Sequence, residues 1–254
     1  ALINIWDKRS GFAAHCLNLL EEDADAGDAW DYSPTWTPGE IVRSSQFPFT
    51  SRLKEAGNVR AVLEISGSMS VPHHLNGDAR SPERSIIPVV FEVTVYSGSP
   101  RVEVRLTLDN TARDHRIRLR IPSAVKTDFV RSQGHLAILD RPIDRQKEID
   151  PWLQPPTQLL PCREWLAVED KEHGLAIALK GMYDYEAIMN PLNGHPDLCI
   201  TLLRSFELMS RLHTLQREGD AAMAVPTPGA QCPGKQVMEW AYVLYDASAH
   251  EKAP

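Results

Sequence analysis

Long apolar runs are missing from this 254-residue chain. None approaches the ~18–20 residues of a membrane-spanning helix, so no membrane role is expected. A basic segment followed by an apolar one, the mark of a signal peptide, is also absent. The chain opens at Ala1, directly in a strand-like pattern, and reads as an excised piece of a longer protein. Cysteine is scarce: Cys16, Cys162, Cys199 and Cys232 are scattered without CxxC spacing. That argues against structural zinc and thioredoxin-like chemistry, and favours free thiols in a cytoplasmic protein. Basic charge is not in excess either. A net charge of −7 speaks against general binding to nucleic acid or an anionic membrane.

Several catalytic signatures are absent too. There is no P-loop and no GxGxxG, which removes support for nucleotide use. There is no GxSxG nucleophile elbow. His73 and His74 are adjacent and point to opposite sides of a strand, a poor chelate. Asp114-His115 and His135 lack a helical i, i+4 partner, so no metal site is expected within the chain. Internal repeats and low-complexity tracts are missing as well.

What is present is a strong β pattern. Hydrophobic residues make up 43% of the chain, ample for a core, and charged residues 24%. Phe91, Val93 and Val95 alternate with polar neighbours, as do Val102, Val104, Leu106 and Leu108, the period of a half-buried strand. Residues 97–100, Ser-Gly-Ser-Pro, supply a turn between them. A third strand over 116–121 ends at Pro122, and the three predict an antiparallel meander. Its outward Arg116, Arg118 and Arg120 are expected to face Glu103, Arg105 and Thr107 across strands. Further strands are predicted over 2–6, 59–65, 165–169, 175–179 and 236–244. Residues 200–212 fit a short helix or a strand followed by a turn. Nineteen prolines punctuate the chain, and those between Asp140 and Arg163 predict an extended arm over the sheet. The fold class is all-β, a large antiparallel β-sandwich, with residues 1–254 as one domain.

The densest chemistry lies in residues 21–34. Asp23, Asp25, Asp28 and Asp31 read as one loop, with Trp30, Tyr32 and Trp36 close by. Acids hydrogen-bond hydroxyls, aromatic rings lie against sugar faces, and Gly27 permits a sharp turn. This is a candidate sugar-contacting loop, and equally a solvated acidic surface. A retaining glycosidase needs two carboxyl groups roughly 5–5.5 Å apart, which sequence spacing cannot show.

The motifs carry a resemblance. Asp7-Lys8-Arg9-Ser10-Gly11 precedes Gly27-Asp28-Ala29-Trp30-Asp31-Tyr32-Ser33-Pro34. Then follow Leu108-Asp109-Asn110-Thr111-Ala112-Arg113-Asp114-His115-Arg116-Ile117-Arg118, Asp140-Arg141-Pro142-Ile143, Gly174-Leu175-Ala176-Ile177, Thr201-Leu202-Leu203-Arg204-Ser205 and Pro226-Thr227-Pro228-Gly229-Ala230-Gln231-Cys232. In this order they resemble the C-terminal β-domain of glycoside hydrolase family 38, the retaining α-mannosidases, especially the bacterial mannosylglycerate-hydrolase branch. The resemblance implies a supersandwich like that of galactose mutarotase. It also implies a catalytic N-terminal α/β domain elsewhere in the polypeptide, which holds the nucleophile and, with other missing domains, the zinc. No catalytic residue and no metal ligand is then expected here. In that family an aromatic residue of the β-domain reaches the active site, and the resemblance puts Trp30 at its place, where better-known members have tyrosine. The resemblance then implies that Asp31 and Tyr32 either bind substrate hydroxyls or hold the loop. The Asp109–His115 segment reads as structural, tying its turn to a neighbouring strand.

The expected ligand is therefore a mannoside or other small carbohydrate. Two other readings stay open. One is a stand-alone carbohydrate-binding sandwich with Trp30, Tyr32 and Trp36 lining a groove. The other is a mutarotase-like epimerase with His135 and Glu164 converging on a concave sheet. An excised sandwich also exposes apolar surface that promotes self-association, so a homo-oligomer is allowed.

Overall fold

The structure is a computed structural model and describes residues 2–144, 157–215 and 217–248. Every strand pairing in it is antiparallel. Two large sheets dominate. The first has nine strands in the order β13 (Ile138–Pro142), β12 (Phe129–Gln133), β15 (Trp165–Glu169), β16 (His173–Lys180), β19 (Gly234–Asp246), β10 (Arg101–Asn110), β9 (Arg84–Tyr96), β6 (Arg60–Pro72) and β5 (Phe49–Ala56). The second has six, in the order β14 (Leu160–Pro161), β17 (Asp184–Met189), β18 (Pro196–Ser205), β11 (His115–Pro122), β3 (Leu19–Ala24) and β4 (Val42–Arg43). Two hairpins complete the set, β1 (Ile3–Trp6) with β2 (Ala13–Leu17) and β7 (Leu75–Asn76) with β8 (Ala79–Arg80). No α-helix occurs among the described residues.

Alternation explains the layering. On the large sheet Ile87, Val89, Phe91, Leu106, Leu108 and Tyr242 point inward and are buried. On the six-stranded sheet Leu20, Ile117, Leu119, Ile121, Leu198 and Ile200 do the same, and one apolar cluster joins the two sets. The sheets thus pack face to face, the aligned solution for two half-apolar sheets. Pro88 is accommodated within β9 because β10 pairs only as far as Val89, leaving Pro88 opposite Ser68 of β6 alone.

Two expectations are corrected. The meander ends after two strands: β9 and β10 pair, but β11 crosses to the other sheet, between β3 and β18. Arg116, Arg118 and Arg120 therefore do not face Glu103, Arg105 and Thr107. Arg116 binds Asp23 (2.8 Å), Arg118 binds Glu186 (2.6 Å) and Glu21, and Arg120 binds Asp197 (2.6 Å) and Glu21 (2.9 Å). Arg116 and Arg118 are buried. The expected arm over 140–163 starts inside strand β13 and carries β14 near its end, while residues 145–156 lie outside the described residues. The ambiguous 200–212 segment is strand β18 followed by loop.

Candidate functional site

Strand β3 delivers Glu21 and Asp23 to the outer face of the six-stranded sheet, so the acidic loop proper begins at Asp25. It is narrow. Ala26 N–H donates to Ser33 O (2.8 Å) and Asp28 N–H to Asp31 O (3.0 Å). The Asp28 carboxylate then turns the chain at its tip, Oδ1 accepting from the N–H groups of Trp30 (2.9 Å) and Asp31 (3.1 Å), an Asx-turn arrangement. Gly27 is sterically required: a Cβ there would meet Asp31 O at 2.0 Å and Ser33 N at 2.7 Å.

Three arginines from β18 and the segment after it clamp this loop. Arg204 binds Asp25 through Nε (2.7 Å) and Nη2 (3.2 Å), and its Nη2 also donates to the carbonyls of Asp28 and Asp31 (both 2.9 Å). Arg211 donates Nε–H to Gly27 O (3.0 Å), and its backbone N–H to Asp28 Oδ2 (2.8 Å). Arg217 bridges the carboxylates of Asp28 and Asp31. These contacts set the ionisation. Burial pushes the Asp25 carboxyl up, against the lowering pull of Arg204. Burial acts the same way on Asp28, but the Arg217 guanidinium and the N–H groups of Arg211, Asp31 and Trp30 outweigh it and hold this carboxyl below its ordinary range.

The structure separates the predicted site residues. Trp30 stands at the loop tip, 59% exposed, and is no core anchor. The Asp31 carboxylate is occupied by Arg217. Tyr32 donates its hydroxyl to Asp23 Oδ2 (3.0 Å), and the Arg116 guanidinium lies 3.4 Å from its ring centroid. Burial first, and then the Asp23 charge, push the Tyr32 phenol pKa up, so it remains a neutral donor. Trp36 is 60% exposed on the following stretch, where Asp78 accepts from the N–H groups of Trp36 (2.7 Å) and Thr37 (2.8 Å). Trp30 and Trp36 thus present rings to solvent, whereas Tyr32 is spent on bracing the loop. The clamping arginines were missed by the sequence reading. Arg204 and Arg211 stood in the ambiguous 200–212 segment, and Arg217 lay beyond it with no signal.

The other candidates are structural. His115 is fully buried, with Nδ1 3.2 Å from Glu22 Oε1 and Nε2 3.0 Å from Asn110 Oδ1. Asn110 in turn donates to Ser205 Oγ and the carbonyls of Gln231 and Cys232. This network ties the end of β10 to β11, β3 and β18. His135 lies in the exposed turn between β12 and β13, and Glu164 just before β15; neither lines the cavity of about 790 Å³ on the outer face of the nine-stranded sheet. The acid/base pair expected of an epimerase is therefore not assembled there. Among the described residues no three His, Cys, Asp or Glu side chains gather as metal ligands would. The loop carboxylates, bound to arginines, do not fit a zinc site.

Fold and loop together define a large two-layer antiparallel sandwich that presents a braced aromatic tip. The chain belongs to glycosyl hydrolase family 38, whose C-terminal-domain profile matches residues 2–207. A curated relative from Halalkalibacterium halodurans, named "Putative mannosylglycerate hydrolase", is 26% identical over 91% of this chain. The chain spans only 25% of that relative's length. Two solved structures from Enterococcus faecalis share the fold. One is an alpha-mannosidase, with TM-score 0.82 and 20% identity over 96% of this chain and 27% of its own. The other is a family 38 glycosyl hydrolase, with TM-score 0.81 and 19% identity over 96% of this chain and 28% of its own.

Proposed function

We propose that this chain is the C-terminal β-domain of a retaining, zinc-dependent α-mannosidase and shapes the substrate site without supplying the nucleophile. The observation that carries this reading is the exposed Trp30 on a loop whose acids are bound to arginines. Asp25, Asp28 and Asp31 are held as loop fasteners, which suits positioning better than proton transfer. The catalytic carboxyls and the zinc ligands then belong to the N-terminal part of the polypeptide, and the metal's contribution there is to orient sugar hydroxyls. Within this chain, Trp30 offers an indole face to a ring or closes the pocket over it. It cannot make the hydrogen bond a tyrosine hydroxyl would make. Asp31 and Tyr32 act by keeping the tip in place. The substrate is a small mannoside such as mannosylglycerate. Four free thiols, two of them buried, support a reducing, cytoplasmic setting.

The test is zinc-supplemented turnover of an aryl α-mannoside by the complete polypeptide and by this domain, side by side. We expect an active parent and a silent domain. Trp30→Ala in the parent should lower kcat/KM about tenfold or more, equivalent to about 1.4 kcal/mol of transition-state binding. Turnover by the domain alone would reject the assignment of the catalytic groups to other parts of the enzyme.

A further inference from the structure

The outer face of the nine-stranded sheet carries a cavity of about 790 Å³ that the loop chemistry does not use. Strand register shows its construction. One row of side chains crosses six strands as Lys180, Glu239, Arg105, Glu92, Glu64 and Arg52. Two residues further along the strands, the next row is Ala178, Ala241, Glu103, Thr94 and Val62. Beyond that, Val243 sits beside Arg101, and Tyr96 beside Arg60. Except for Glu103 the middle row is short, and the long side chains of the first row on one side and of Arg101, Tyr96 and Arg60 on the other make a trough running across the strands. Five strand spacings of roughly 4.8 Å give it a length of about 24 Å.

The charges in this trough are mostly matched. Glu239 is held by Arg105 (2.9 Å) and Lys180, Glu55 by Arg60 (2.8 Å), and Lys54 bridges Glu92 and Glu64. Glu103 is the weakly held member. Among the described residues its ionic contact is Arg101 at 3.4 Å, and it lies on the floor with its side chain 38% exposed. A polyanion would meet carboxylates along the whole trough, and a polycation would meet guanidinium and ammonium groups. A chain of hydroxyls both donates and accepts, so it can use each partner of every pair. Beside the middle of the trough, at the β9–β10 turn, a second cavity of about 310 Å³ shares Arg101 and is lined by Trp6, which is 65% exposed. That indole supplies a platform for a sugar face.

We propose that this trough is a second saccharide-binding surface, taking an extended neutral oligosaccharide across the strands with Glu103 and Arg101 at its centre and Trp6 flanking Arg101. It lies on the opposite layer from the Trp30 loop and does not depend on that loop's role.

Calorimetric titration of the complete polypeptide with thio-linked mannotetraose, which a glycosidase does not cleave, tests it. Tetragalacturonate and an uncharged extended octapeptide serve as contrast probes. We expect mannotetraose to bind, and Glu103→Ala to weaken it at least tenfold. Ala241→Trp, which fills the floor, should do the same, while Trp30→Ala leaves this binding phase unchanged. Because Glu103 is on the surface, its variant keeps the test readable if the tryptophan substitution perturbs the sheet. Aryl α-mannoside turnover is followed in parallel and should be unaltered by Glu103→Ala. Three results would overturn the proposal: no mannotetraose binding, binding indifferent to Glu103→Ala, or tighter binding of the polyanion or the peptide. Binding that responds only to Trp30→Ala would remove the trough and leave the loop reading standing.

Discussion

Gly27 governs the shape of the acidic loop, because the space where a side chain would go is already filled by the backbone of Asp31 and Ser33. Gly27→Ala should therefore open the Ala26–Ser33 pairing and release Trp30 from its position. In the complete enzyme we expect kcat/KM to fall toward the Trp30→Ala value, with a loss of protection at the Asp28 and Ser33 amides in hydrogen exchange. Asp28 gives a second handle. Its folded-state pKa is depressed, so its contribution to stability is complete above its unfolded value near 3.8 and is lost as pH falls through the lower folded value. Asp28→Asn should accordingly lower stability at pH 7 and flatten the decline below pH 4, read by urea denaturation across pH. Asp25, whose pKa is raised, adds nothing to that acid-side loss.

Among the elements, β11 is the most informative, because both of its faces are covered. Ile117, Leu119 and Ile121 enter the core, and Arg116 and Arg118 are buried on the other side among carboxylates. Leu119→Ala should cost about 2–5 kcal/mol through the lost methylenes and the cavity left behind. Arg116→Met should cost about 3 kcal/mol, since Asp23 loses its closest cation and Tyr32 its stacking partner. Chemical denaturation of both variants checks the pair. The same strand shows what a sequence can disclose. Its alternation was legible, and so were β9, β10, β15, β16 and β19, because side-chain parity follows from the pleat. Parity does not say which sheet a strand joins or what covers its polar face. Arg116, Arg118 and Arg120 were thus read as solvent-facing, although their partners stand on β3, β17 and β18, up to about a hundred residues away. The loop itself was legible from Gly27 and its acids. Its fastening was not, since ion pairs across the fold leave no mark in local periodicity.

At the scale of the whole molecule, apolar side chains stand exposed on and beside the clamping segment. Trp30 is 59% exposed, Leu212 58% and Met223 77%, and Met209 O accepts the Ala29 N–H. An isolated domain with such a surface should self-associate at tens of micromolar or above. Sedimentation velocity should show a concentration-dependent shift that Leu212→Lys with Met223→Lys reduces. A monomer unaffected by the double change would show that this face is not sticky enough to need cover.

The clamp also fixes an order of events during synthesis. Asp25, Asp28 and Asp31 leave the ribosome ahead of their partners: Arg204, Arg211 and Arg217 follow between 173 and 189 positions later. At bacterial-to-eukaryotic translation rates that interval is roughly ten to forty seconds. Throughout it the nascent chain carries an acidic hairpin without the three guanidinium groups that clamp it. The aromatic tip is thus made well before the residues that fix it, and a chain cut short before Arg204 loses the whole clamp together with strand β19 of the nine-stranded sheet.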